Sequence, residues 1–137
     1  MDIIKIDPDL KTIKTNFRQA QAHLHDLRRQ IALLEERGIY DAIPTESWQD
    51  RGGKGRYLYL YFPQRRDGDG YLGPGRRRKL YIGASPARIA AARRRVQRTR
   101  DHRQLNREAE RLHTWLRRRA AELNILARQL AAWTAYS

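Results

Sequence analysis

Apolar residues recur every three or four positions along the first third of the chain, and this spacing predicts a long helix. Asp7 followed by Pro8 fits an N-cap and a first helical residue. Gly38 fits the residue that ends the helix, because glycine readily adopts the left-handed backbone found there. The spacing is that of a coiled-coil seam, and its members are Leu10, Ile13, Phe17, Ala20, Leu24, Leu27, Ile31 and Leu34.

Residues 57–62 alternate strictly between two kinds of side chain, which predicts a β-strand with two different faces. Tyrosines form one face, and a second strand over residues 77–82 repeats the division with basic residues and a tyrosine on the same side. We expect a hairpin that buries its apolar face, at about 1.5 to 3 kcal/mol for each side chain. The side chains expected inside are Leu58, Leu60, Phe62, Leu80 and Ile82.

The segment between the first helix and the hairpin, residues 39–55, contains Pro44 and Trp48 and reads as a connector. We expect Trp48 to cover the apolar face of the hairpin. The apolar stretch from Ile39 to Ile43 is the candidate for a short third strand. Two Asp-Gly pairs between the predicted strands are typical of turns and predict a loop there.

A second long helix is predicted to begin at Ser85-Pro86, since no Gly or Pro follows before the end of the sequence. It carries two apolar stripes that do not join in one register, which predicts a local change of winding near residues 100–105. The first stripe is Ile89, Ala92, Val96 and Thr99. The second is Leu105, Ala109, Leu112, Leu116, Arg119, Leu123, Leu126, Leu130 and Trp133.

Together these elements predict an α+β protein, mainly α, in which two long helices form an antiparallel coiled coil with a twisted β-hairpin, or three strands, inserted between them. The predicted parts are a coiled-coil helix over residues 1–38, a connector and basic hairpin over 39–84, and a long C-terminal helix over 85–137. That last helix has a basic first half and an apolar seam in its second half. No apolar run approaches the length of a membrane span, so we expect a cytoplasmic protein.

The lengths of the two helices predict an assembly. If they fold back around the hairpin, Leu34 lies near Ile89, Leu24 lies near Thr99, and Leu10 lies near Leu112. Residues 116–133 then have no partner in the same chain, which predicts a homodimer. The predicted dimer contacts are Leu116, Leu123, Leu126, Leu130 and Trp133. The alternative is a break near residues 117–121, with the end of the chain packing back as a third helix in a monomer.

Positive charge is concentrated in the middle of the chain. The net charge is +14, and residues 51–107 hold 17 Lys or Arg against three acids, so the rest of the chain is balanced. Such asymmetry predicts a polyanionic partner, most simply nucleic acid. The candidate contacts are Arg56, Tyr57, Tyr59, Tyr61, Arg76, Arg77, Arg78, Lys79, Tyr81, Arg88, Arg93, Arg94, Arg95 and Arg98.

Catalytic and metal-binding patterns are weak in this sequence. The acids are scattered, there are only four His and no Cys, and no nucleophile lies in a recognisable motif. His23, His25 and Asp26 do not share one helical face, so we interpret them as exposed polar residues. We therefore expect no enzyme activity, no cofactor and no metal.

Residues 80–93, LYIGASPARIAAAR, resemble a segment of the arm-type DNA-binding domains of tyrosine-recombinase integrases. Ile82-Gly83 matches the end of a strand in that family, and Ile89 to Arg93 matches the helix that follows. The resemblance implies a small three-stranded sheet that enters the major groove of DNA while the helix supports it. It covers less than half of the chain and no catalytic domain; small phage and plasmid proteins with a tyrosine-rich hairpin and a basic helix are similar too. The DNA-facing residues it implies are Tyr57, Tyr59, Arg77, Lys79 and Tyr81.

Binding of double-stranded DNA is the function that we expect, in a phage, plasmid or bacterial DNA-maintenance or regulatory role, with association to the nucleoid in a bacterium. RNA is an alternative, because tyrosines can stack on unpaired bases. A second alternative is a coiled-coil interaction protein whose basic face binds an acidic protein. The tyrosines also fit ordinary cross-strand pairing that stabilises a small sheet.

Overall fold

Two helices and three strands make up the computed structural model, which describes residues 6–50, 52–53, 55–63 and 78–135, with side chains from residue 11 onward. The elements in order are α1 (Ile6–Arg37), β1 (Thr45–Asp50), β2 (Arg56–Tyr61), β3 (Lys79–Gly83) and α2 (Pro86–Ala135). The chain is therefore α+β and mainly helical, with an antiparallel sheet inserted between two long helices. The predicted fold class is confirmed.

The C-terminal end of α1 and the N-terminal end of α2 lie where the sequence predicts them. Gly38 has a φ of 106° and donates its N–H to the carbonyls of Leu34 and Glu35, at 3.0 and 3.2 Å, so it terminates α1. The carbonyl of Ser85 accepts the N–H of Ile89 at 2.9 Å, which opens α2 at Pro86. Beyond this point α2 continues as a single α-helix of 50 residues. The alternative break near 117–121 is therefore wrong, and the change of winding near 100–105 stays a prediction.

The sheet has the order β1-β2-β3, with β2 in the centre and antiparallel neighbours on both sides. In β1, Trp48 lies opposite Leu58 on the apolar face, but 43% of its surface remains exposed. The third strand is thus Thr45–Asp50, and the prediction of a strand over Ile39–Ile43 is wrong. The physical reason lies in Tyr40, whose N–H donates to the side chain of Thr99 in α2 at 2.9 Å instead of joining a strand ladder.

Two compact units divide the described chain, and each has its own apolar cluster. The sheet unit, residues 33–103, buries the inner side of the sheet against the start of α2. Its buried members are Leu58, Leu60, Phe62, Ile82 and Ala92, with Ile89 and Val96 packed beside them. The helical unit consists of residues 1–32 and 104–137. Its buried members are Leu24, Leu27, Ile31, Ala109 and Leu116, with Phe17, Ala20, Leu105 and Leu112 alongside.

The two stripes of α2 therefore differ because they have different partners. Ile89 packs on the sheet, Leu24 shares a cluster with Leu116, and Glu35, next to Leu34, contacts His102 of α2. The predicted helix register is wrong because the sheet occupies the first turns of α2, so pairing with α1 begins farther along. Leu116 is only 7% exposed as a result. Of the predicted dimer contacts, Leu116 is thus covered within the chain, whereas Leu126, Leu130 and Trp133 remain 43%, 50% and 74% exposed.

Candidate nucleic-acid interface

The side of the sheet that faces away from the apolar cluster carries the tyrosines, and we call it the outer face. Strand alternation and register place eight side chains on it. They are Thr45, Ser47 and Gln49 of β1, Tyr57, Tyr59 and Tyr61 of β2, and Lys79 and Tyr81 of β3. Tyr59 lies at the centre, between Ser47 on one side and Tyr81 on the other.

Aromatic rings pack against one another across the outer face. The ring centroids of Tyr59 and Tyr81 are 5.2 Å apart, and those of Tyr57 and Tyr81 are 6.2 Å apart. The Lys79 ammonium lies 5.7 Å from the centre of the Tyr59 ring, within the range of a cation–π contact. Tyr59 is consequently only 4% exposed, whereas Tyr81 is 47% exposed. Tyr59 is therefore a buried member of the outer face, and Tyr81 and Lys79 are exposed members of it.

A polar contact extends this layer onto β1. The Gln49 side-chain amide donates to the Tyr61 hydroxyl at 2.5 Å. Sequence reasoning missed Thr45, Ser47 and Gln49 because β1 lacks the alternation of apolar residues that is typical of a strand. The Gly52-Gly53 pair after β1 was the available signal of a turn. In the structure both glycines have positive φ values, 56° and 76°.

Gly83 closes β3 with a φ of 102°, in the left-handed region that favours glycine. The register shifts at this point, because Leu58 pairs with Gly83 while its neighbour Tyr59 pairs with Tyr81. The Tyr81 ring folds against Gly83, its hydroxyl oxygen being 3.4 Å from where a Cβ would stand. The Ile-Gly pair noted in the sequence thus helps to fix the ring that is most exposed on the outer face.

On the opposite side, Leu80 departs from expectation. It pairs with the buried Leu60 yet remains 41% exposed, so the prediction that it is buried is wrong. Its position explains this, because β3 is at the edge of the sheet whereas β2 is central and covered from both sides.

Two arginines of the predicted binding set form ion pairs within the chain. Arg93 donates from Nε and from a terminal nitrogen to the two carboxylate oxygens of Glu46, at 2.9 and 3.2 Å. This hydrogen bonding lowers the pKa of Glu46 and raises that of Arg93. Arg78 pairs with Asp41, whose hydrogen bond raises the pKa of Arg78, and its guanidinium also lies 4.4 Å from the centre of the Phe62 ring. Arg93 thus links α2 to β1, and Arg78 links the start of β3 to the connector.

Two more arginines fasten the connector after α1. Arg98 donates from Nε to the carbonyl of Gly38 at 2.8 Å. Arg95 donates to the carbonyl of Ile39 at 3.0 Å while its guanidinium lies 4.3 Å from the centre of the Tyr40 ring. These contacts satisfy backbone oxygens just beyond the helix end. We therefore assign Arg95 and Arg98 a role in folding.

The remaining predicted contacts fall on different surfaces. Strand alternation puts Arg56, opposite Asp50 in the register, on the side of Leu58 and away from the tyrosines. Arg88 and Arg94 are exposed on α2, which covers the apolar side of the sheet. Arg76 and Arg77 lie outside the described residues. Among the described candidates, the structure therefore brings together Tyr57, Tyr59, Tyr61, Lys79 and Tyr81.

Two other kinds of site, a metal site and a membrane-spanning helix, have no candidate among the described residues. In the part of the chain that the structure describes, no group of three or more His, Asp or Glu side chains is placed to hold a metal ion. Neither described helix combines the length and the apolar character that crossing a membrane requires. Comparison with protein-family models, with curated proteins and with solved structures finds no match to this chain.

Proposed function

We propose that the chain binds double-stranded DNA through the outer face of its sheet. The observation that carries this proposal is that Tyr81 and Lys79, both exposed, lie on the same face among polar and aromatic side chains. This face belongs to a chain whose net charge of +14 arises entirely between residues 51 and 107. A three-stranded antiparallel sheet followed by a helix is also the arrangement that the resemblance to arm-type domains implies.

The dimensions of the sheet suit the major groove. Neighbouring strands lie about 4.8 Å apart, so three strands measure about 10 Å between the outer two. The major groove of B-DNA is about 12 Å wide. Lysine can donate to guanine and glutamine can pair with adenine in that groove. Lys79, on the outer strand β3, is thus the candidate for a contact with a base edge, since the Gln49 amide already donates to Tyr61.

The arginines of α2 have a different part in the proposal. Arg88 and Arg94 lie on the helix behind the sheet, so we assign them to long-range attraction of the phosphate backbone. Arg78, Arg93, Arg95 and Arg98 already have partners within the chain. We therefore do not include these four among the contacts with DNA.

Fluorescence anisotropy with matched duplex DNA, single-stranded DNA and RNA, each at two salt concentrations, tests the proposal. We expect the duplex to bind most tightly. Lys79→Ala should weaken duplex binding by about 1–3 kcal/mol through the lost base contact. The matched control is Lys14→Ala, which removes the same charge from an exposed position on α1. Tyr81→Ala should also weaken binding, and Tyr81→Phe separates the hydroxyl from the ring.

The outcomes distinguish the alternatives. Tighter binding to RNA or to single-stranded DNA would favour stacking of unpaired bases on the tyrosines. Equal losses for Lys79→Ala and Lys14→Ala would show that net charge, and not the outer face, determines affinity. If the chain binds no nucleic acid, the remaining alternative is an acidic protein partner. The complex with that partner should survive an excess of random-sequence duplex.

A further inference from the structure

A second stripe of side chains runs along α2 beside the seam with α1. It lies within the helical unit and repeats at intervals of four, three and four residues. Together with α1 it lines a groove of about 220 Å³. The stripe is Trp115, Arg119, Glu122 and Leu126, and the groove is completed mainly by Ile13 and Phe17 of α1.

The apolar side chains of this groove are unusually exposed for their size. Trp115 is 37% exposed, Ile13 is 40% exposed and Leu126 is 43% exposed. The 3-4 spacing of the stripe is that of a surface against which another helix packs. The groove therefore has the pattern of a helix contact that α1 does not fill.

The centre of the stripe carries one cation and one anion. Arg119 and Glu122 form an ion pair at 2.7 Å, and the Arg119 guanidinium lies 5.4 Å from the centre of the Trp115 ring. The stripe thus has apolar ends and a charge-balanced middle, although the chain as a whole is strongly basic. An acidic partner would gain more from the basic surfaces of the sheet unit than from this neutral groove.

The order of these four residues is self-complementary. If a second α2 runs antiparallel with a two-fold axis between residues 120 and 121, Trp115 faces Leu126 of the second copy. The same register brings Arg119 opposite Glu122 of the second copy, because both pairs are centred on the same point in the sequence. A two-fold contact requires a surface that complements itself in this way. The apolar match and the charged match therefore occur in the same register.

We propose that two copies of the chain associate through this groove, with their α2 helices antiparallel and Ile13 and Phe17 flanking the contact. This interface differs from the one expected from helix lengths. Leu116 belongs to the cluster within one chain, Leu123 and Leu126 line the groove, and Leu130 and Trp133 lie beyond its four-residue centre. The association is independent of DNA binding.

Sedimentation equilibrium of the full-length chain, freed of nucleic acid and at tens of micromolar, tests this interface. The unmodified chain should sediment as a dimer. Arg119→Glu surrounds the axis with carboxylates and Glu122→Arg surrounds it with guanidiniums. Because like charges are then opposed, each variant should raise the dimer dissociation constant at least about tenfold. Arg118→Glu is the matched control, since it makes the same charge change at an exposed neighbour outside the groove and should remain dimeric.

Mixing provides the decisive measurement. An equimolar mixture of the Arg119→Glu and Glu122→Arg variants should form a heterodimer, because the acidic pair of one faces the basic pair of the other. The double variant should likewise recover self-association. Circular dichroism must show unchanged helix content in every variant. A full-length chain that is monomeric, a dimer that neither single variant weakens, or a mixture that stays monomeric would each overturn the proposal.

Discussion

Thr99→Val is the substitution whose consequence follows most directly from the structure. Thr99 is 5% exposed, and its hydroxyl accepts the Tyr40 N–H at 2.9 Å while donating to the Arg95 carbonyl at 2.7 Å. Valine retains the shape and the β-branch but removes the hydroxyl. The Tyr40 N–H, which is partly buried, then loses its acceptor.

The two hydrogen bonds of the Thr99 hydroxyl contribute unequally to the expected loss of stability. Leaving a buried donor unsatisfied costs about 1–3 kcal/mol. The Arg95 carbonyl adds little, because it also accepts the backbone N–H four residues along the helix. Threonine and valine have similar helix propensities, so this term nearly cancels. We expect Thr99→Val to lower the free energy of unfolding by about 1–2 kcal/mol, given that Tyr40 is only partly buried.

Urea unfolding followed by circular dichroism and tryptophan fluorescence measures this loss. With a slope of about 2 kcal/mol per molar urea, the midpoint should fall by about 0.5–1 M while the slope stays constant. Thr114→Val makes the same chemical change at an exposed position on α2 and is the control. Thr99→Ser retains the hydroxyl and should recover most of the loss.

A small loss of stability would contradict the role assigned to the Thr99 hydroxyl. If Thr99→Val stays within about 0.5 kcal/mol of the unmodified chain, the range of ordinary surface substitutions, the hydroxyl does not hold the connector to α2. An equal loss in Thr114→Val would also refute it, since a general effect on the helix would then be sufficient.

The same urea assay tests two further predictions. Leu60→Ala, at a site that is 1% exposed, should cost about 2–5 kcal/mol, and a loss no larger than that of the exposed Leu33→Ala would contradict the assigned core. Glu46→Gln concerns pH: because Arg93 lowers the pKa of Glu46 below its ordinary value of 4.5, the ion pair stabilises the fold above that value. This contribution is lost as pH falls through the folded-state pKa, so the stability difference between Glu46→Gln and the unmodified chain should disappear in acid, and a constant difference would argue against the ion pair.

Features fixed by neighbouring residues were predictable from the sequence. Gly38 and the Ser85-Pro86 pair set helix ends through their own backbone preferences, and alternation identifies β2 and β3. The strand β1 was not predictable in this way, because an edge strand needs few apolar residues and its partner, not its own pattern, makes it a strand. Its three outer-face side chains, Thr45, Ser47 and Gln49, were missed with it.

Features that depend on distant packing were the ones mispredicted. The seam of α1 and the stripes of α2 are visible in the sequence, but Ile89 faces the sheet and Leu116 faces α1 for reasons that no local pattern contains. Tyr59 illustrates the same limit at the candidate site. Alternation places it on the correct face, whereas its contacts with Tyr81 and Lys79 depend on a strand that lies farther along the chain.

The contacts of Arg95 and Arg98 have a consequence for how substitutions in related sequences should be interpreted. Both guanidiniums donate to carbonyls just after α1, and Arg95 also stacks on Tyr40. Lysine would keep the positive charge but would lose the planar stacking of Arg95 and the directed Nε–H bond of Arg98. Selection for folding alone would therefore retain arginine at these two positions, with or without a polyanionic partner. Sites that accept lysine and arginine interchangeably would instead be those where charge alone is selected.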